Sequence, residues 1–84
     1  MATWDIARVR EQGVSFAVAA VRDSVLTNHS EGDDLIVALS SAMGMPVVLL
    51  GARQHRLYGR QDIVKFLRNV DPRRLPWECF HIAA

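Results

Sequence analysis

Near the end of the chain, Cys79 and His81 have the types and spacing of a nucleophile and its base. Residues two apart on an extended strand share a face, and an imidazole beside a thiol can take its proton to leave a thiolate. The sequence offers no third side chain to orient the imidazole. The pair therefore reads as a small packed residue and an edge histidine, and no catalytic residue is assigned. A second set, Arg53, His55, Arg56 and Arg60, flanks a turn and leads into the start of a helix. Cationic side chains beside free helix N–H groups favour anions, so these four form the candidate anion site, which Arg68, Arg73 and Arg74 could extend. Trp4, Tyr58 and Trp77 form a third set. Their large amphipathic rings supply contact area with few rotatable bonds, which makes them the candidate interface residues.

Other chemistries lack their residues. A metal site would have to gather Cys79, His81, His55 and His29 from separated segments, without the paired short spacing of zinc ligands. The acids Glu31, Asp33 and Asp34 are accounted for by the positive end of a helix dipole. Neither a glycine-rich phosphate loop nor a nucleophile elbow is present. No cofactor is expected.

The elements that must position these residues follow from apolar periodicity. Thr3 to Arg10 alternates with Trp4 and Ile6 on one side, then turns at Gly13. The next run places Val14, Phe16, Val18 and Ala20 on one face and Ser15, Ala17, Ala19 and Val21 on the other, predicting a buried strand. Val25 and Leu26 tuck an exit loop against the core. Ser30 is the predicted N-cap of a helix whose stripe is Leu35, Ile36, Leu39, Ala42 and Met43, stopped by Gly44. Pro46 opens the continuous apolar run Val47–Leu50, predicted to be central and parallel to the second strand. A hairpin through residues 51–58 follows, then a helix with Ile63, Val64, Phe66, Leu67 and Val70 inward, ending at Asp71-Pro72. A last strand runs from Trp77 to Ile82. The expected fold is a mixed α/β (α+β) domain spanning residues 1–84, in the order β-β-α-β-β-α-β, with two helices packed on one sheet.

Composition narrows the class further. Half of the 84 residues are apolar and ten bases face nine acids, a balance that folds rather than remaining disordered. Apolar content this high is hard to bury in so small a body, which favours a homo-oligomer, by default a dimer. The single cysteine excludes an intrachain disulfide. With no secretory leader at Met1–Asp5 and no run of roughly 18–20 apolar residues, a cytoplasmic protein without a membrane span is expected. Charge is uneven: residues 1–44 hold three arginines against six acids, and residues 45–84 hold seven bases against three. Such asymmetry could draw a nucleic acid to one end or align two subunits head to tail.

Residues 45–67, with Met-Pro-Val-Val-Leu-Leu, a turn, Arg-Leu-Tyr-Gly and Asp62-Ile63-Val64-Lys65-Phe66-Leu67, resemble the second half of thioredoxin-like domains. That resemblance implies a proline-opened strand, a hairpin and a closing helix. It implies no redox chemistry, because Cys-x-x-Cys is absent. The spread of Glu11-Gln12-Gly13, Phe16-Ala17-Val18, Tyr58-Gly59-Arg60, Asp62-Ile63-Val64, Phe66-Leu67 and Pro76-Trp77 resembles a group of short uncharacterised bacterial proteins. This implies a bacterial source, mobile DNA included, and no particular activity. The functional expectation is a non-enzymatic interaction module that forms a homo-oligomer. The alternatives are nucleic-acid or polyanion binding through the basic C-terminal half, and a small enzyme whose site gathers His55, Arg56, Cys79 and His81 between subunits.

Overall fold

A computed structural model describes residues 2–11 and 13–82. The chain runs β1 (Ala2–Glu11), β2 (Val14–Val21), α1 (Asp23–Thr27), α2 (His29–Met43), β3 (Val47–Gly51), β4 (Leu57–Tyr58), α3 (Gln61–Leu67), a 3-10 turn (Pro72–Arg74) and β5 (Trp77–Ile82). The strands form one sheet in the order β4-β3-β2-β1-β5, with β2 and β3 parallel and the other neighbours antiparallel. The mixed α+β class and the predicted order hold, with α1 as an added element.

The alternation read from β2 is the one observed. Ala17, Ala19 and Val21 face one side with Ile6, Val47 and Leu49, where Leu26 and Leu39 of the α1–α2 layer close over them. Phe16 and Val18 face the other side with Val48 and Leu50, covered by Ile63, Val64 and Leu67 of α3. The result is three layers, with the sheet between two helical coats, so β2 and β3 are apolar on both faces. The middle strand is β2, while β3 lies between β2 and β4 with all five residues buried.

Helix α2 starts two residues earlier than Ser30 implies. Its N-cap is Asn28, whose side chain accepts from the Glu31 N–H at 3.2 Å. In its first turn Gly32 is buried, with Tyr58 ring carbons 3.2 Å and 3.4 Å from the place a Cβ would occupy. The segment read as an exit loop forms α1, with Leu26 buried and Val25 half-buried as expected. Five residues are too few to show helical periodicity. Ala42, assigned to the apolar stripe, is exposed, as is Val37. Gly44 ends α2 in the left-handed conformation at φ 69°, donating its N–H to Ser40 O, and the Ser40 hydroxyl accepts from Val47 N, tying helix end to strand start.

Both coats bury the apolar content more fully than composition suggests. Among the described residues, only Val14 and Val37 are large hydrophobics left exposed. No helix among them is long and apolar enough to cross a membrane. The charge asymmetry of the two chain halves becomes an asymmetry of layers: residues 22–44 of the α1–α2 coat hold one arginine against four acids, and residues 59–76 of the α3 coat hold five bases against two.

Candidate functional site

The four residues of the predicted anion site do not converge. Arg53, His55 and Arg56 share the β3–β4 loop at the carboxyl end of β3. That loop is closed by His55 N–H to Gly51 O at 3.1 Å and Gly51 N–H to Arg56 O at 2.8 Å. His55 has φ 52°, a left-handed backbone in a residue with a full side chain, the kind of local strain that clusters at functional loops. Arg60 lies beyond β4, which runs back along β3 by roughly 10 Å at the usual strand rise. There it is the N-cap residue of α3 and pairs with Asp62 at 2.9 Å. The α3 N-terminus is thus separated from the loop it was expected to support.

Other cations take the place of Arg60. After α3 the chain turns back along the sheet, and Asp71 caps the 3-10 turn by accepting from Arg73 N at 3.0 Å. The Arg73 side chain donates to both Asp71 oxygens, at 3.3 Å and 3.2 Å. These bonds from Arg73, side chain first, hold the Asp71 carboxyl below its ordinary value and raise the Arg73 guanidinium in turn. Trp77 Nε1 donates to Pro72 O at 2.7 Å and fixes the turn against β5. Two hollows open between this segment and the β3–β4 loop. One, about 220 Å³, includes Val18, His55, Leu67, Arg68 and Val70 in its lining; the other, about 380 Å³, includes Ala20, His55, Arg73 and Trp77. Leu50, His55 and Pro72 line both.

The three aromatic candidates each have a partner within the chain. Trp77 belongs to the α3 side, as above. Tyr58 packs against the opposite core, donates its hydroxyl to Asp33 Oδ1 at 2.6 Å and stacks on His29 with ring centroids 5.2 Å apart. Asp33 is therefore a partner for the only tyrosine as well as a charge near a helix start. The hydrogen bond to Asp33, then partial desolvation and the carboxylate's charge, raise the Tyr58 phenol above 10.0. A raised phenol means the bond's stabilisation is complete below the ordinary value and is lost as pH rises through the folded-state value. Ultraviolet titration of this single tyrosine is expected to give a midpoint above 10.0 in the wild type and a lower one in Asp33→Asn.

Trp4 lies on the α2 side of the sheet opposite Phe80 and donates Nε1 to Ile82 O at 3.3 Å. With Val25, Leu35 and Ala38 it lines a groove of about 740 Å³ whose margin carries Glu31 and Asp34. Helix α2 lies over β3 and leaves Trp4, Phe80 and Ile82 half-buried on the β1–β5 side. Arg8 sits 5.5 Å over the Phe80 ring and pairs with Glu78 at 3.2 Å.

Cys79 and His81 do share a face, the α3 side, and Cys79 is exposed. The register supplies an acid that sequence spacing could not reveal: Asp5 stands opposite Cys79, and Thr3 opposite His81. A catalytic triad needs the acid against the imidazole, whereas here it faces the thiol. Among the described residues no group of three or more His, Cys, Asp or Glu is placed to hold a metal ion. His55 and Arg56 sit in the β3–β4 loop, separated from the β5 pair by the intervening strands β2 and β1. No protein-family model, curated protein or solved structure matches the chain.

Proposed function

We propose that this chain is a non-enzymatic interaction module that pairs with a second copy of itself along the outer edge of β5. The observation that carries this reading is the inequality of the two sheet edges. The β4 edge is two residues long, while β5 presents six residues with β1 on one side only. An unpaired strand of that length offers a row of N–H and C=O groups, and neither a proline nor a lysine interrupts Trp77–Ile82.

Two antiparallel β5 strands related by a twofold axis would join the sheets and set the Trp4, Phe80 and Ile82 strips side by side. If the axis is perpendicular to the sheet, facing residues lie on the same face, so the axis passes midway between one residue, such as Cys79 or Phe80, and its own copy. Backbone pairing, with the half-buried strip beside it, drives the association. Apolar surplus contributes less, since the two coats bury most of it.

Sedimentation at micromolar concentration is the test. The wild type is expected to run as a dimer. Cys79→Lys places a charge at an exposed position on the edge and should weaken the dimer by about tenfold or more while leaving the monomer folded. A wild-type protein that stays monomeric, or a lysine variant that dimerises equally well, would falsify the reading.

A further inference from the structure

We propose that the paired hollows between the β3–β4 loop and the α3–β5 connection form one binding site for a small organic anion with an apolar body. The site lies at the carboxyl ends of the parallel strands β2 and β3, where open sheets of this kind leave a crevice between their loops. Its floor is apolar, made by Val18, Ala20 and Leu50, with Leu67 and Trp77 at the sides. The ionisable residues in its lining are His55, Arg68 and Arg73, and no carboxylate is among them. An apolar cleft with a few polar groups at one margin is the usual form of a small-molecule site, and hollows of about 220 and 380 Å³ sharing three lining residues suit a compact ligand.

The three residues have different roles. Asp71 holds the Arg73 guanidinium at both oxygens, so that arginine mainly shapes the wall. Among the described residues Arg68 has no carboxylate partner within ion-pair distance, which leaves its fork for the ligand's carboxylate, sulfonate or phosphate. His55, whose backbone is left-handed and whose N–H is bonded to Gly51 O, lines both hollows. The opposite groove, at Trp4, carries Asp5, Glu31 and Asp34 against Arg22 and would disfavour the same ligand.

Anilinonaphthalene sulfonate, a flat apolar body bearing one anionic group, is the probe. Fluorescence titration should show saturable binding that octanoate displaces and inorganic phosphate does not. Arg68→Glu should weaken it by about fivefold or more. Arg53→Glu carries the same charge change, but Arg53 does not line either hollow, and it should cost less than about twofold. Amide chemical-shift changes should centre on Leu50, His55, Arg68 and Val70. The proposal fails if no binding is seen, if both variants weaken it equally, as a polyanion-binding surface would, or if the shifts centre on Trp4 and Leu35. Because β5 pairing is read by sedimentation, either proposal can fail alone.

Discussion

Leu39→Ala is expected to destabilise the fold by about 3–4 kcal/mol, the middle of the range for removing a fully buried leucine. Leu39 has no exposed surface and is the one large side chain of α2 that is completely enclosed; Leu35, Ile36 and Met43 around it are half-buried. Alanine would remove the contacts that hold the helix to Ile6, Ala19 and Leu49 and leave a cavity between two rigid layers, where the surroundings can collapse only in part. A domain of this length has a total stability of roughly 4–12 kcal/mol, so one substitution removes a large part of it. Thermal unfolding should fall by on the order of 15–25 °C, the slope expected for a chain this small. A shift below about 5 °C would show that α2 is not anchored at Leu39.

Gly59→Ala is expected to cost about 2–4 kcal/mol through two separable terms. The first is conformational: Gly59 has φ 148°, a region that side chains with a Cβ rarely enter, at roughly 1–3 kcal/mol. The second is steric. A Cβ there would lie 3.2 Å from Val48 Cγ2 and 3.3 Å from Val48 Cα, against a buried strand that cannot give way. Gly44→Ala is the matched comparison, since Gly44 also has positive φ but nothing lies within 4 Å of the place its Cβ would occupy. That variant should lose only about 1 kcal/mol, the conformational part alone. Denaturant unfolding of both, with hydrogen exchange on α3, checks the separation. Equal losses would mean that the contact with Val48 adds nothing.

The legible parts of the fold were those specified by short-range pattern. Alternation placed every β2 residue on its observed face, and the turn chemistry of Gly44 marked the end of α2. The helix start was less legible because Asn28 and Ser30 are both good caps, and the one used is Asn28, whose side chain accepts from the Glu31 N–H. Helix placement was not legible at all, since both helices have apolar sides. It follows from the topology. The α2 crossover between parallel β2 and β3 occupies one face, so α3, on its way from the β4 edge to β5 at the other edge, covers the free one.

The candidate site was legible to the same degree. Arg53, His55 and Arg56 are neighbours in sequence and remain so in space, but β4 carries Arg60 away, while the return path brings Arg68 and Arg73 to His55. Chain proximity did not foretell that Arg60 stands apart, because the chain runs along β4 between residues 56 and 60. Asp5 was missed for a related reason: it stands opposite Cys79 only because β5 crosses the sheet to pair with β1.

The opposite charges of the two coats give this nearly neutral molecule a direction. The α1–α2 coat holds one arginine against four acids and the α3 coat five bases against two, so the charge separation runs across the sheet, reduced by Arg8 and Arg10 on the first side and Asp5 and Glu11 on the second. A net charge of +1 therefore conceals a plate with two unlike sides, which would settle on an anionic surface helix-pair upward and on a cationic one the other way round. In a dimer joined edge to edge with its axis perpendicular to the sheet, both copies would keep the same side up, and the orientation would double in strength with the area.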